Sequence, residues 1–399
     1  MRVAVISPFV DRQHGAERAV AELLERLAIQ NHDEVHLYAQ RVQDLPLADL
    51  QTAQKNGGIL WHRVPKFSGP HLLGFLGWLF LNHLARWKLF SNARSRPQIV
   101  FSPGINALDA DVILVHAMFH RLAELQSGPG RSGLRGLHRK SYYALVCGLE
   151  RRIYRNRCIT LAAVSQHTAD QLAHYFGRSD VTIIPVGVNA GRFSPAAVAP
   201  MRETRRKLLH YSPEQFVLLL LGNDWRNKGL QTLLEAMARC PDLPLRLMVV
   251  GQDQQAPFRA EVQKLGLTGR VEFFAPVPDV RIFYAAADIL VAPSLEDSFN
   301  LPVLEAMSCG LPVIVSPRAG ISAWLTHLHD SVLLKDQENS GELANAIREF
   351  ALDPALRSAI AANATRTAGK FSWDTHAADL RKLMVKALEQ KRATTVPSN

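Results

Sequence analysis

Three acids, Glu296, Asp297 and Glu305, fall within one stretch, residues 288–316, that reads DILVAPSLEDSFNLPVLEAMSCGLPVIVS. An apolar run, Ile289–Ala292, has the make-up of a buried strand and leads into a loop holding the adjacent Glu296 and Asp297. Glu305 follows on a helical pattern that breaks at Gly310, before a second apolar run at 312–315. Acids at the carboxyl end of a strand and on the next helix stand where open α/β sheets bind ligands. Asp297 and Glu305 are eight positions apart, a little over two turns if both are helical. At that spacing they can grip different parts of one extended ligand.

A second constellation carries the opposite charge. The segment GNDWRNKG, from Gly222 to Gly229, follows an apolar run at Phe216–Leu221 and precedes a helix opening near Leu230. Arg226 and Lys228 thus stand beside the positive end of a helix dipole, a site suited to phosphate oxygens; the alternative is a polar loop with two solvated cations. Cations for a diphosphate and acids for hydroxyl groups are what a nucleotide-sugar site needs. His116 ends the run DVILVH, where it can hydrogen-bond a reacting group, although a lone histidine is more often structural. His120 lies four residues on, a spacing that permits a metal pair; no further ligands cluster nearby, so no metal is expected. Gly15 opens the helical stripe of Ala19, Val20, Leu23, Leu24 and Leu27, where a glycine lets the backbone approach a ligand; a plain helix start is the alternative. The segment is not GxGxxG, so the dinucleotide fingerprint is missing.

These residues need a scaffold. Short β-branched runs alternate with longer amphipathic ones, the pattern of βαβ units and parallel sheets. Strands are expected at 3–6, 34–38, 99–101, 112–115, 160–164 and 181–184, then at 216–221, 245–250, 271–274, 289–292 and 313–315. Ser165 reads as a helix N-cap. The Pro- and Gly-rich stretch 185–200 divides a first domain, 1–187, from a second, 188–373, with a cleft expected between them. A last helix, 374–392, is free to pack back on the first domain, and 393–399 reads as a frayed tail. At 399 residues and 47% hydrophobic content, the chain can fill two cores.

Charge is uneven. The net +10 divides into about +8 over residues 1–185, with 22 Lys/Arg against 14 Asp/Glu, and about +2 over the rest, with 24 against 22. A basic first half points to an anionic partner. Two stretches concentrate it. Residues 72–96, from Leu72 to Arg96, open with the apolar LLGFLGWLFL and close with Arg86, Lys88, Arg94 and Arg96. Residues 131–157 hold Arg131, Arg135, Arg139, Lys140, Arg151, Arg152, Arg155 and Arg157 against Glu150 alone. An anionic membrane surface is one reading; a core helix with a basic end and a solvated face is the other. The apolar run is about half the ~20 residues a spanning helix needs. The start MRVAVISPF reads as a first strand, not a secretory signal. The four cysteines, without paired metal-ligand spacing, read as buried thiols in a reducing compartment.

Taken together, these motifs resemble the GT-B glycosyltransferases. The resemblance is to the large retaining family 4 type, which includes sucrose synthases, phosphatidylinositol mannosyltransferases and bacterial lipopolysaccharide-core glucosyltransferases. It rests on Gly15-Ala16-Glu17, on Asp111 and His116, on Ala163-Val164-Ser165, on Pro185 to Asn189 with Arg192-Phe193, on Gly222 to Gly229, and on Asp297 to Gly310. It implies two Rossmann-like domains, the first binding the acceptor and the second the donor, with closure assembling the site. Glu305, followed by Ala306, Met307 and Gly310, matches the acid that binds the nucleotide ribose. Asp297 matches the sugar-contacting acid but is one methylene shorter than the usual Glu, with Glu296 out of register by one. Asn300 replaces the usual glycine after the aromatic Phe299, where the backbone, with Leu301, approaches the donor. Gly222, Arg226 and Lys228 look like the family's basic motif, and Asn189 stands where Asp is common.

The resemblance further implies transfer of a hexose-type sugar from a nucleoside diphosphate sugar to a glycan or glycolipid acceptor. UDP-sugar is favoured over GDP-sugar, the anomeric configuration is retained, and neither metal nor cofactor is required. Lys228 and Arg226 would neutralise the leaving diphosphate, whose oxygen would take the acceptor proton, and His116 would orient the sugar. Cell-envelope polysaccharide or lipopolysaccharide-core synthesis is the expected setting, in the cytoplasm or on the inner face of the cytoplasmic membrane. Nucleic acid is not an expected partner. A sugar-nucleotide epimerase and a non-catalytic partner subunit remain as alternatives, whereas an oxidoreductase should carry the absent glycine-rich turn.

Overall fold

The computed structural model describes residues 1–12, 15–66, 71–90, 96–125 and 134–395, with the side chains of 71, 88–90, 134–138 and 394–395 left out. Arg94, Arg131 and the side chains of Lys88 and Arg135 therefore lie outside the described residues. The chain divides into two compact units, Met1–Gly187 with Trp373–Asn399, and Val188–Ser372.

Among the described residues, the first unit has nine strands: β1 (Arg2–Ile6), β2 (Phe9–Val10), β3 (Glu34–Ala39), β4 (Arg41–Val42), β5 (Gly58–Arg63), β6 (Ile99–Pro103), β7 (Val112–Val115), β8 (Thr160–Ala163) and β9 (Thr182–Ile183). Seven of them form one sheet in the order β5-β3-β1-β6-β7-β8-β9, while β2 and β4 pair separately. Its helices are α1 (Gly15–Glu25), α2 (Leu50–Asn56), α3 (His71–Phe90), α4 (Phe119–Leu125), α5 (Leu134–Tyr154) and α6 (Gln166–Phe176). Ser165 caps α6, accepting from the Thr168 amide.

The second unit carries β10 (Phe216–Leu221), β11 (Leu245–Val250), β12 (Val271–Phe274), β13 (Ile289–Ala292), β14 (Val313–Val315) and β15 (Val332–Leu333). They pair in parallel in the order β12-β11-β10-β13-β14-β15. The helices are α7 (Pro195–Leu208), α8 (Leu230–Ala238), α9 (Gln255–Lys264), α10 (Arg281–Ala286), α11 (Leu301–Ser308), α12 (Ser340–Leu352) and α13 (Pro354–Ala368). A last helix, α14 (Trp373–Thr395), belongs to the first unit, where Arg381 pairs with the buried Asp33 at 2.8 Å.

The physical reason for this layering is legible in the strands. FVLLLL of β10 and ILVA of β13 are apolar at every position because helices cover both faces of a parallel sheet. In the second unit the chain starts at β10, winds outward to β12, then returns to the other side of β10 at β13, where Leu218 pairs with Ile289. The carboxyl ends of β10 and β13 therefore flank a topological switch point, where open sheets bind ligands.

Among the thiols, Cys240 and Cys309 are buried as expected, but Cys147 is only half-buried and Cys158 is exposed. Cys158 stands on the turn between α5 and β8. No helix among the described residues is long and apolar enough to cross a membrane.

Candidate functional site

The two charged motifs meet at the switch point of the second unit. Lys228 Nζ donates to Asp297 Oδ2 at 2.5 Å. Two loops reach this contact, one after β10 and one after β13, and they are laced together. The Asn227 side chain donates to the Glu296 carbonyl at 2.8 Å, and the Leu295 amide donates to the Asn227 carbonyl at 2.7 Å.

Local conformation explains the loop after β10. Trp225 is fully buried against Phe258 and Phe273, and its amide donates to Asp253 at 2.8 Å. Anchoring Trp225 inward turns the next residue, Arg226, outward, where it is exposed. The structure thus joins Lys228, and not Arg226, to the acids. Gly222 leaves space for the Lys228 stem, since a Cβ there would come within 2.7 Å of Lys228 Cε. Gly229 has φ of +76°, and a Cβ on it would stand 2.0 Å from the Pro293 carbonyl oxygen. This glycine is what allows the two loops to touch.

The loop after β13 leads into α11. Asn300 sits in the left-handed region at φ +74°, is buried, and donates from Nδ2 to Ser294 Oγ at 3.3 Å. Asparagine tolerates that conformation better than most residues, which accounts for an amide side chain at this position. A recess beside these loops is lined by Leu221, Lys228, Ala292, Ser294, Asn300 and Pro302, among others. Leu301 is the first residue of α11, and Glu305 lies one turn further along it, buried. Its Oε2 accepts from the Tyr284 hydroxyl at 2.9 Å. Near it, burial followed by the Glu305 charge pushes the Cys309 thiol up to about 12.

The other two expected site residues belong to the first unit. Gly15 opens α1, and a Cβ added there would meet nothing within 4 Å. His116 follows β7; its Nε2 is buried without a hydrogen-bond partner among the described residues. Burial, with a smaller push from His376, lowers its pKa to about 3, so the imidazole is neutral near pH 7 and its hydrogen-bonding capacity at Nε2 is unspent. His120 serves the fold instead. Its Nδ1 contacts Glu150 at 2.7 Å, and that carboxylate also accepts the Phe119 and His120 amides at the start of α4. Cys147 stands close enough that ligand atoms of His120, Cys147 and Glu150 lie within 4.8 Å of one another. Helix capping and the His120 contact already account for that carboxylate.

Reading the sequence did not single out Tyr284, Asn227 or Ser294. Tyr284 lies on α10, and nothing in its local pattern marks it; its role depends on a partner 21 residues away. Asn227 and its partner Glu296 are 69 residues apart.

The family model described as Glycosyltransferase Family 4 matches residues 13–192, and that described as Glycosyl transferases group 1 matches residues 201–367. The chain belongs to this glycosyltransferase family. A D-inositol 3-phosphate glycosyltransferase from Pseudarthrobacter chlorophenolicus is 31% identical over 277 residues, covering 67% of this chain and 63% of the relative. Lipopolysaccharide glucosyltransferase WaaG from Escherichia coli is 30% identical over 220 residues, covering 53% and 59%. The chain thus spans about three fifths of the length of these curated relatives. A crystal structure of WaaG, described as a glycosyltransferase involved in lipopolysaccharide biosynthesis, matches with a TM-score of 0.76 at 22% identity, over 96% of this chain and 99% of that one. HepE from Anabaena, in complex with UDP and glucose, matches with a TM-score of 0.70 at 20% identity, over 96% and 98%. These structural likenesses establish the fold as GT-B, with two Rossmann-like domains, as the sequence motifs led us to expect.

Proposed function

We propose that this chain transfers a hexose-type sugar from a nucleoside diphosphate sugar to a glycan or glycolipid acceptor, with retention of anomeric configuration and without a metal. The observation that carries this reading is the Lys228–Asp297 contact at the β10/β13 switch point, with Glu305 on the helix that follows. In this reading Glu305 accepts from the ribose hydroxyls and Asp297 contacts the sugar, with Asn300 and Leu301 along the donor. Lys228 exchanges its carboxylate partner for the diphosphate, where negative charge develops as the bond breaks. Arg226, exposed on the same turn, supplies a second cation to the phosphates.

The bond between the anomeric carbon and the phosphate oxygen breaks, and one to the acceptor oxygen forms on the same face. The acceptor proton passes to the leaving diphosphate oxygen, so neither Asp297 nor Glu305 acts as nucleophile. His116, neutral near pH 7, is assigned to orienting the sugar. UDP is the favoured base, a choice in keeping with the UDP found with HepE. The first unit is assigned to the acceptor. The relation to lipopolysaccharide glucosyltransferase WaaG supports an acceptor in cell-envelope or lipopolysaccharide-core synthesis, at the cytoplasmic face of an anionic membrane met by residues 72–96 and 131–157.

A thermal-shift panel of UDP-, GDP- and ADP-sugars tests the donor. A ligand at a hundred times its dissociation constant stabilises by about 2.7 kcal/mol, enough to rank the bases. Stabilisation by a UDP-sugar above the others is the expected result; no shift with any nucleotide sugar would refute the reading.

A further inference from the structure

Helix α3 is apolar on two faces, and only one of them serves the core. Trp78 is buried in the core of the first unit, with Phe75, Leu79, Leu81 and Ala85 packed against that core. Arg86 also turns inward, where its guanidinium meets Asp109 at 2.7 and 2.8 Å and Asn82 Oδ1 at 3.1 Å. The cation nearest the middle of the helix is thus spent inside the protein.

The outward face is different. Leu73, Leu76, Phe80, Leu84 and Trp87 are exposed at 49, 40, 67, 40 and 65%. Their spacing of three, four, four and three residues keeps them on one stripe of the helix. Of the twelve large apolar side chains left exposed among the described residues, these are five. Scattered single exposures are ordinary, but a contiguous apolar stripe marks an interaction surface.

We propose that this stripe of α3 lies in the interfacial region of an anionic lipid bilayer, parallel to its surface, with Phe80 and Trp87 as the deepest anchors. The proposal rests on the membrane-face part of the reading above and names the element that enters the lipid. Charge selects this occupant over a second copy of the chain. Helix α3 contains no Asp or Glu along its 20 residues. In α5, whose Tyr142 ring packs edge-on against Phe75 of α3 at 6.5 Å, the one acid is Glu150, fully buried. Lys140, Arg151 and Arg152 of α5 are exposed, as is Arg155 just beyond it. An uncharged apolar stripe with cations and no exposed acid on the helix packed beside it is the composition of an in-plane anchor on anionic lipid. Trp87, large and amphipathic, suits the headgroup level.

The apolar stripe also sets this attachment apart from adsorption by cations alone. A purely electrostatic contact vanishes as salt shortens the screening length, whereas burial of the stripe persists. The test is flotation of the full chain with vesicles of phosphatidylcholine and of phosphatidylcholine with phosphatidylglycerol, at about 0.15 M and about 1 M salt. The chain is expected to float with the anionic vesicles and to keep a measurable bound fraction at high salt. Phe80→Gln with Trp87→Gln, both at exposed positions, should lower the partition at least about tenfold at either salt. A melting curve shows that this variant is folded, and calorimetry with nucleoside diphosphates reads the donor site separately. Failure of the full chain to float with anionic vesicles overturns the proposal, and so does a variant that floats undiminished. It is equally overturned if the chain is a dimer that the variant splits while neither form binds vesicles. Flotation as expected without nucleotide binding would leave the surface standing and remove the donor reading.

Discussion

Lys228 is held by Asp297 at 2.5 Å, and both side chains are largely shielded from solvent, with relative exposures of 18 and 15%. In the proposed mechanism a diphosphate would compete for a cation that is already positioned, so the lysine would need little reorganisation to neutralise a leaving group. Replacing it by alanine is expected to lower turnover by on the order of a hundredfold, the scale of losing one charge-stabilising donor; near-normal turnover of Lys228→Ala in a transfer assay would remove it from the mechanism. Tyr284 acts one step back. Its hydroxyl donates to Glu305 Oε2 at 2.9 Å and lies 3.3 Å from the Pro302 carbonyl, so it orients the carboxylate from the side. Tyr284→Phe should weaken nucleoside diphosphate binding by about 1 kcal/mol, the worth of a typical hydrogen bond, with turnover at saturating donor little changed. A loss confined to turnover would show that the tyrosine does not work through Glu305.

At the scale of elements, the site depends on two loops meeting, and Gly229 is where they do. Its φ of +76° and the 2.0 Å approach of a built Cβ to the Pro293 carbonyl leave no room for a side chain. Gly229→Ala is therefore expected to destabilise the second unit by at least about 2 kcal/mol, read as a shift in its denaturation midpoint; an unchanged midpoint would mean that the loops part without cost. The loops' positions were legible beforehand because β10 and β13 are continuous apolar runs ending in turn residues. Other elements were not. GILWHR of β5 mixes polar and apolar residues without clean alternation, and β2, β4 and β15 are two residues long. Pairs of that length take their identity from neighbours, not from their own pattern. Asn300 could be seen as a departure from glycine, but its left-handed backbone explains why asparagine in particular stands there. The outward stripe of α3 was hidden in a run that reads as uniformly apolar, since only packing divides such a helix into a used and an unused face.

Across the whole molecule, the two units differ in what they bury. The first unit holds His62, His116 and His376, which burial lowers to about 4, about 3 and about 4. In the unfolded chain these rings return toward the ordinary imidazole value of about 6.5 and bind protons that the folded state refuses. Their contribution is thus fully present above about pH 6.5 and is lost as pH falls through the window down to about 4 for His62 and His376 and about 3 for His116. Hydrogen exchange across that range should show the first unit opening as pH falls, and His376→Asn should flatten the dependence by about one proton; a first unit equally protected at pH 6.5 and 4.5 would contradict this. The second unit carries the central claim, that a nucleoside diphosphate sugar is held at the β10/β13 switch point. Calorimetric titration of UDP into the full chain and into Glu305→Ala tests it most directly. The account predicts binding to the first and at least about tenfold weaker binding to the second, as expected when a buried hydrogen-bonded carboxylate loses its ligand contacts. Equal affinity for the two proteins, or no binding to either, would contradict it.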